Sequence, residues 1–404
     1  MDAHRRATVG PVRTGAVTPT MRAVVLRGPE RLEIRDVERP RPAPHEVLVR
    51  VQAVGLCGTD MHIYAGHANY NADRSGRPIP LTVEPQILGH EIAGVVAEVG
   101  SEVRDLDPGH RVVLDQGRTC VGEGRAPLCE YCATGDSHQC ELYREHGITG
   151  LQGGLAEYIS VPGVNAVRIR SALDPATAVI TEPLGCVLHA TDMLTRAVAR
   201  YSLAPESAGQ RIRSILLLGA GPSGLLFVQV LRRVLGFDGL LLVSEPDPTR
   251  RALAEGFGAD VLDPSSMDLS DGVAERTGGR RVELLIEASG AGEPMALIPE
   301  LLRKQGTLLL YGHGHAGVDQ SVLNSIQVLE PTWLAPAGAS GGFEPDGRPS
   351  VYVRALELIE SGVIDAASLI THRYPSLDAV PGAFARDPEV PGYIKGVVSL
   401  VDGG

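Results

Sequence analysis

Residues 214–224 read SILLLGAGPSG, in which an apolar run leads into Gly219-Ala220-Gly221-Pro222-Ser223-Gly224, a G-x-G-x-x-G pattern. This pattern indicates a dinucleotide site when it follows a strand and opens a helix, as the flanking sequence predicts here. Gly219 permits the tight turn, Gly221 lets the backbone approach the pyrophosphate, and Gly224 lets the helix pack on the strand. The helix N-terminus supplies free N–H groups for phosphate. We expect all these residues, with Pro222 and Ser223, to bind the cofactor.

An acidic residue follows the glycine motif at the distance expected for ribose recognition. Glu245 ends the run LLLVSE, 21 residues after Gly224. A carboxylate there can accept hydrogen bonds from the adenosine ribose and would repel a 2′-phosphate. The sequence therefore predicts NAD in preference to NADP. Arg250 either flanks the adenine or is a solvated arginine in the first turn of a helix.

The sequence around the motif alternates between short apolar runs and helix-like segments. The runs are 215–218, 240–243, 284–286 and 308–310. They are apolar throughout, as expected for parallel strands covered on both faces. This pattern predicts an α/β fold with a doubly wound parallel sheet. Residues 21–181 instead contain short β-branched runs with Gly, Pro and Asp between them, which predicts a barrel-like β domain.

Composition restricts the partners and the compartment. The net charge is 37 − 49 = −12, which disfavours nucleic acid and anionic membranes as partners. No apolar run has transmembrane length. Residues 1–20 lack the apolar segment of a secretion signal, and we interpret them as a disordered tail. We therefore expect a cytoplasmic protein, whose cysteines more often bind metal or catalyse than form disulfides.

Four of the six cysteines are concentrated in one loop. They are Cys120, Cys129, Cys132 and Cys140, in the spacing C-x8-C-x2-C-x7-C. A C-x2-C pair with two more cysteines is typical of a structural zinc held by four thiolates. Two disulfides, or free thiols, are the alternatives. Cys186 has no evident zinc partner, and we expect it to pack in a core.

A second group of metal-binding residue types is spread over a longer stretch. Cys57 begins CGTDMH, His90 lies in GHE, and Glu182 lies in TEPLG. A thiolate, an imidazole and a carboxylate suit a catalytic zinc that keeps one position open. Taken singly, Cys57 could be a buried apolar residue and His90 a hydrogen-bonded core histidine.

At this point the chain resembles the zinc-containing medium-chain dehydrogenases. The pattern G-H-E-x2-G-x5-G is matched by Gly89, His90, Glu91, Gly94 and Gly100, and the similarity covers nearly the whole chain. The resemblance implies a GroES-like β-barrel catalytic domain, a Rossmann domain, and a homodimer or homotetramer. We expect the catalytic domain at 21–186 and 345–404, with the NAD-binding domain at 187–344.

Within that family, CGTD at Cys57 and EPL at Glu182 resemble the polyol and threonine dehydrogenase branch. The resemblance implies Cys57, His90 and Glu91 as zinc ligands, and Glu182 as a fourth ligand or a water-mediated neighbour. Asp60 would orient His90. Two departures from the family pattern are a long segment at 65–86, expected near the active-site mouth, and the wide gap between Cys120 and Cys129.

These observations predict a zinc-dependent oxidoreductase with two zinc ions per chain. It would transfer hydride from a secondary alcohol of a polyol, sugar or (amino)cyclitol to NAD, giving a ketone. Thr59 would accept the hydroxyl proton, which passes through the cofactor ribose to His62 and so to solvent. The alternatives are an amino-alcohol dehydrogenase of the threonine type and a non-catalytic sensor that binds NAD and zinc. A zinc-free quinone reductase is disfavoured by the ligand set.

Overall fold

The computed structural model describes residues 19–204, 207–386 and 390–400. Most of the predicted tail, residues 1–18, lies outside the described residues, whereas Thr20 already begins the first strand. Up to residue 168 the described chain is mainly β-structure. Its strands are β1 (Thr20–Leu26), β2 (Leu32–Glu38), β3 (Glu46–Leu56), β4 (Gln86–Ile87), β5 (Glu91–Val99), β6 (Arg111–Leu114), β7 (Gly117–Arg118), β8 (Arg144–Glu145), β9 (Tyr158–Pro162) and β10 (Ala166–Arg168). Its helices are α1 (Gly58–Tyr64) and α2 (Glu130–Thr134), with 3₁₀ turns at Ser137–Gln139 and Gly163–Asn165.

Strands and helices alternate in the middle of the chain. The strands are β11 (Ser214–Leu218), β12 (Leu240–Ser244), β13 (Asp260–Leu262), β14 (Val282–Glu287), β15 (Leu302–Leu310) and β16 (Thr332–Leu334). The helices are α3 (Pro175–Ala178), α4 (Thr181–Arg196), α5 (Pro222–Gln229), α6 (Pro248–Gly256), α7 (Leu269–Thr277), α8 (Gly292–Ala296), α9 (Ile298–Leu301) and α10 (Val322–Gln327). A 3₁₀ turn lies at Ala208–Gln210, and a π-helical turn, Val230–Val234, extends α5.

The C-terminal part returns to β-structure. It contains α11 (Ser350–Glu360), β17 (Ile370–Tyr374), α12 (Val380–Arg386) and β18 (Lys395–Ser399), with 3₁₀ turns at Ala367–Leu369 and Leu377–Ala379. β18 pairs antiparallel with β3, and β17 pairs with β18. The chain end therefore completes the sheet β10-β6-β5-β3-β18-β17, in which β9 also pairs with β3. No helix in the described ranges is long and apolar enough to cross a membrane.

The middle strands form one parallel sheet in the order β13-β12-β11-β14-β15-β16. Every residue of β11 is buried. Ile215 and Leu217 belong to one apolar cluster and Leu216 and Leu218 to another, because successive side chains of a strand point to opposite faces. A sheet covered on both faces, in this strand order, is a Rossmann fold. The predicted fold class is confirmed.

Helix α4 joins the two halves of the molecule. Its N-terminal turn carries Glu182, and the helix packs against α11, α5 and β5. The boundary predicted at residue 186 falls inside this helix rather than in a linker. We propose that the catalytic and nucleotide domains meet along α4, because one continuous helix holds both in a fixed orientation.

Candidate metal centres and nucleotide site

Three side chains singled out in the sequence meet at one end of the first sheet. Cys57 follows β3, His90 precedes β5 and Glu91 begins it, and the two strands pair with Gly55 opposite Glu91. One ligand atom from each of Cys57, His90 and Glu91 lies within 4.8 Å of the others. His90 and Glu91 are 3% and 0% exposed. The antiparallel register therefore brings together residues that are distant in the sequence.

The chemistry of this cluster suits zinc. Thiolate, imidazole and carboxylate are all ligands of catalytic zinc sites, which keep a further position open. Within the described chain, Glu91 Oε2 is buried and has no hydrogen-bond partner. A buried carboxylate oxygen is costly unless a cation or a donor satisfies it. The cluster therefore fits a metal site better than a group of polar side chains that only stabilises the fold.

Asp60 lies behind His90, where the resemblance placed it. Its Oδ1 is 3.4 Å from His90 Nδ1. The same carboxylate accepts the N–H groups of Cys57, at 2.9 Å, and Gly89, at 3.1 Å. Burial would raise the pKa of Asp60, but His90 and these two N–H groups together lower it. Asp60 is therefore held as a carboxylate that can orient the imidazole.

Glu182 is close to the cluster without joining the three atoms that converge. It lies in the first turn of α4 and is 6% exposed. Its Oε1 accepts Gln116 Nε2 at 3.2 Å and the Cys186 thiol at 3.3 Å. Burial raises the pKa of Glu182 to about 7, with His90 opposing the rise and Glu91 adding to it. Cys186, which we expected to pack in a core, packs against the apolar core, and its thiol also donates to Glu182.

Helix α1 carries the two residues predicted to move a proton. Thr59 is half-buried, with Oγ1 3.8 Å from Cys57 Sγ. His62 is exposed on the same helix, and its ring centre is 6.3 Å from that of His67. The helix therefore runs from the cluster to solvent. The long segment 65–86 begins where this helix ends, and Asn71 ties it together by donating to Glu84 at 3.0 Å.

The four clustered cysteines converge on a second point. Their sulfur atoms all lie within 4.8 Å of one another. Cys140 Sγ is 3.6 Å from Cys120 Sγ and 3.9 Å from Cys129 Sγ. A disulfide would require about 2.05 Å, whereas a tetrahedral zinc with bonds of about 2.3 Å places sulfurs about 3.8 Å apart. The geometry fits zinc and excludes disulfides here.

The wide gap between the first two of these cysteines is taken up by compact turns. Glu123 N–H donates to the Thr119 carbonyl at 3.0 Å, and Arg125 N–H donates to the Cys120 carbonyl at 2.9 Å. The extra residues therefore loop out and return the chain to Cys129. Backbone N–H groups, first that of Cys132, lower the pKa of Cys129 to about 6, whereas burial raises the pKa of Cys132 and of Cys140.

The glycine motif has the geometry its sequence predicts. Gly219 has φ +95°, a conformation that L side chains rarely adopt. A Cβ on Gly224 would lie 2.2 Å from the Gly219 carbonyl oxygen, whereas a Cβ on Gly221 would meet nothing within 4 Å. Pro222 starts α5, and Ser223 Oγ accepts the hydroxyl of Tyr311 at 3.2 Å. The loop thus packs tightly at Gly224 and leaves space at Gly221.

Glu245 lies beside this loop at the end of β12. Its Oε2 accepts Ala220 N–H at 2.7 Å, and its Oε1 accepts Asp247 N–H at 3.0 Å. Each oxygen keeps a second acceptor position. The glycine loop and the acidic residue therefore lie together at the carboxyl ends of β11 and β12, where ligands bind in open α/β sheets.

Two protein-family models match the chain. The alcohol dehydrogenase GroES-like domain matches residues 43–171, and the zinc-binding dehydrogenase domain matches residues 222–344. Together they cover more than half of the chain, including both cysteine-containing metal clusters and the nucleotide domain from Pro222 onwards. The chain belongs to the zinc-binding alcohol dehydrogenase family. The resemblance inferred from the sequence is confirmed, and with it a zinc-binding enzyme that uses a nicotinamide cofactor.

Individual relatives agree with this assignment. An L-threonine 3-dehydrogenase of Pyrococcus abyssi is 32% identical over 87% of this chain and 90% of its own length. An L-galactonate-5-dehydrogenase of Escherichia coli K12 is 28% identical over 88% and 92%. A Sinorhizobium meliloti 1021 protein solved with NADP bound superposes with a TM-score of 0.74, at 30% identity, covering 94% of this chain and 99% of that one.

Sequence reasoning missed a buried lysine in this dehydrogenase. Lys395, 2% exposed at the start of β18, donates a short hydrogen bond from Nζ to Glu91 Oε1. Burial lowers the pKa of Lys395, but attraction to Glu91 and Cys57 outweighs it and raises the pKa. One oxygen of Glu91 therefore faces a cation of the protein, which leaves the other for a metal. No local pattern marks this lysine.

The dehydrogenase also holds Glu182 through a buried amide that the sequence did not reveal. Gln116 is 2% exposed, and its Nε2 lies 3.2 Å from Glu182 Oε1 and 3.4 Å from Glu145 Oε1. The hydroxyl of Tyr352, from α11, donates to Gln116 Oε1. That contact fixes which end of the amide faces the carboxylates, so Gln116 orients Glu182.

Arg250 is half-buried in the first turn of α6, beside Glu245. Its Nε and Nη2 donate to the Tyr393 carbonyl at 3.0 Å and 2.5 Å, and Nη1 is 3.9 Å from Glu245 Oε1. The guanidinium is therefore anchored next to Glu245, and its contact with an adenine stays a prediction. It links α6 of the nucleotide domain to the chain just before β18.

Proposed function

We propose that the dehydrogenase reversibly oxidises a secondary alcohol of a polyol, sugar or (amino)cyclitol to a ketone, with NAD as hydride acceptor. The observation that carries this proposal is the proximity of the Cys57 cluster to the glycine loop. Tyr311, which is half-buried and donates to Ser223 in that loop, packs against the same apolar cluster as Cys186, whose thiol donates to Glu182. The residues for metal and for cofactor therefore line one site.

The proposed ligands of the catalytic zinc are Cys57, His90 and Glu91, with Glu182 as a neighbour that acts through water. Glu182 lies outside the converging atoms and is held by Gln116, which supports the indirect role. When bound, zinc supplies a Lewis acid that acidifies an alcohol. The four thiolates of the second cluster would hold a structural zinc, giving two per chain.

In this proposal the protein moves the released proton along α1. Thr59 Oγ1 lies at the buried end and can accept the proton beside Cys57. His62 is exposed and can exchange the proton with solvent near neutral pH. Hydride transfer itself belongs to the cofactor, and the protein supplies orientation.

The preference for NAD rests on Glu245. Its carboxylate is 3% exposed and is held by two backbone N–H groups, so it cannot swing away from a 2′-phosphate. A buried negative charge next to a phosphate is repulsive. We also propose a homodimer or homotetramer. β16 supports this assembly, because it ends the parallel sheet with Trp333 38% exposed.

A threonine-type amino-alcohol dehydrogenase is the second candidate. The Pyrococcus abyssi relative at 32% identity favours it, while the Escherichia coli L-galactonate-5-dehydrogenase favours a polyhydroxylated substrate. A screen of polyols, sugar acids, cyclitols, amino sugars and threonine, with NAD and NADP in parallel and read as NADH or NADPH absorbance, separates the two. A protein that turns over none of them would be the non-catalytic sensor.

Metal analysis of two cysteine variants tests the site assignment. We expect two zinc ions in the wild-type protein and one in each of Cys57→Ser and Cys132→Ser. Cys57→Ser should lose turnover at least about a thousandfold yet bind NADH nearly as well, because it removes a Lewis-acid ligand and no cofactor contact. Retained turnover in Cys57→Ser, or a single zinc in the wild type, would show that the assignment is wrong.

A further inference from the structure

We propose that a second pocket of this protein binds a small polyanion that carries phosphate groups. The pocket lies at the amino ends of β14 and β15, at the opposite end of the sheet from the glycine loop. We call it the basic pocket; its cationic side chains are Arg200, Arg280, Arg281, Arg303 and Lys304. Its volume is about 510 Å³, within the usual size of small-molecule sites.

A bulge in β15 shapes the basic pocket. β14 and β15 pair at Val282–Leu302 and again at Leu284–Thr307. Glu283 therefore faces the four residues 303–306, which bulge out of β15. Bulges re-aim side chains, and they are common beside functional sites. This bulge carries Arg303, Lys304 and Gln305 into the basic pocket.

The arginines are held in place rather than left to move in solvent. Arg303 Nη1 donates to Glu283 Oε1 at 2.6 Å, and Arg200 Nη1 donates to Gln305 Oε1 at 3.0 Å. Both guanidinium groups also lie within 6 Å of the ring centre of buried Tyr201, at 5.3 Å and 5.6 Å. A guanidinium has five N–H donors, so each arginine keeps donors for a ligand. Such pre-ordering reduces the entropy lost on binding.

The other two arginines are anchored in the same way. Arg281 Nη1 donates to the Pro299 carbonyl at 3.0 Å, and Arg280 Nε donates to the Thr277 carbonyl at 3.3 Å. These acceptors are neutral, so neither positive charge is cancelled by its anchor. The contacts fix the stems of both side chains at the rim of the basic pocket.

The backbone of this pocket adopts unfavourable conformations. Arg281, Gln305 and Glu330 have φ values of +63°, +58° and +49°. All three line the basic pocket. Positive φ is unfavourable for a non-glycine residue, and such strain concentrates at functional sites. Three residues that line the same cavity therefore have unfavourable backbone conformations.

The charge of the basic pocket is opposite to that of the whole protein. Five cationic side chains and one carboxylate, Glu330, line it, and Glu283 pairs with Arg303 from behind, which gives 5 − 2 = +3. The chain as a whole carries −12. A net charge of +3 in a concave site favours a multiply charged anion over a single carboxylate. Arginine forks match phosphate oxygens in particular.

This site is separate from the cofactor site. β14 is a six-residue strand, so its two ends are about 20 Å apart. A phosphate bound at Gly219–Gly224 therefore cannot reach the basic pocket. Saturating the protein with NADH will leave the pocket free for a second anion.

The experiment is isothermal titration of inorganic triphosphate into the zinc-loaded protein saturated with NADH. We expect saturable binding of one triphosphate per chain, weaker binding of inorganic phosphate, and loss of affinity as salt rises. The double variant Arg280→Ala/Lys304→Ala should bind triphosphate about tenfold or more weakly, because two charge-assisted contacts are gone. Arg281→Gly should weaken binding without loss of stability, because glycine adopts φ +63° freely.

The matched control is Arg74→Ala/Arg104→Ala, which removes the same charge from exposed residues of the other domain. It should bind triphosphate as the wild type does, and any chelation of zinc by the probe would be equal in all variants. Absence of saturable binding would overturn the proposal. So would equal weakening in the control, because the effect would then come from net charge alone. Neither result depends on which alcohol the enzyme oxidises.

Discussion

The packing role predicted for Gly224 and the cofactor-binding role predicted for Gly221 can be separated by substituting these two glycines one at a time. In Gly224→Ala the new Cβ would lie 2.2 Å from the Gly219 carbonyl oxygen, where ordinary contact begins at 3.4 Å. Helix α5 must therefore retreat from β11 by about 1 Å, and overpacking of this kind costs about 1–3 kcal/mol. The same shift moves the helix N-terminus away from the pyrophosphate, so NADH affinity should also fall.

Gly221→Ala is the matched control, because the same methyl group goes where the protein has open space. Its Cβ meets nothing within 4 Å, and φ −65° with ψ −174° suits alanine. Without cofactor, this variant should be as stable as the wild type or more stable by up to about 1 kcal/mol. NADH should nevertheless bind about tenfold or more weakly, because the methyl occupies the approach of the pyrophosphate.

The assay is urea unfolding without cofactor, followed by tryptophan fluorescence, together with NADH titration. The chain contains a single tryptophan, Trp333, in β16 of the same sheet, so the signal reports unfolding of the nucleotide domain. Gly224→Ala should lower the urea midpoint and Gly221→Ala should not. If Gly224→Ala were as stable as the wild type, or Gly221→Ala bound NADH normally, the packing argument would be refuted.

Two further predictions concern buried charges. Lys395→Met should lower the free energy of unfolding of the metal-free protein by about 3–5 kcal/mol, measured in urea, because Glu91 is left buried without its cation. The double variant Lys395→Met/Glu91→Gln should recover most of this loss. If the double variant recovered nothing, the pairing of Lys395 with Glu91 would be contradicted. Burial lowers the pKa of His146 to about 4 in the folded protein, below its usual 6.5, so its contribution to stability is present above pH 6.5 and is lost as pH falls towards 4. Between pH 7 and pH 4, His146→Asn, which keeps a donor for the Gln152 carbonyl, should lose about 3 kcal/mol less stability than the wild type; identical pH profiles in urea would contradict this.

The nucleotide domain was predictable because its signals are local. The apolar run 214–218, the glycine motif and Glu245 are each recognised from a few neighbouring residues. The run forms β11, and the motif and Glu245 lie at the carboxyl ends of β11 and β12. The domain boundary stays a prediction, because it depends on more than local pattern. A boundary at residue 186 follows from a change in pattern, but α4 is one continuous helix through that point, since its apolar face packs on both halves.

The sequence alone predicted the fold class and proposed both metal-binding sets. The spacing of the four cysteines names one set, because the chemistry of zinc admits few residue types, and the resemblance to the family implies Cys57, His90 and Glu91 as the other. The tertiary structure decided which other groups face those ligands. Lys395 reaches Glu91 across 304 residues only because β18 pairs with β3, and the basic pocket exists only because β15 bulges. Strand register and bulges depend on packing between distant segments, and no local pattern encodes them.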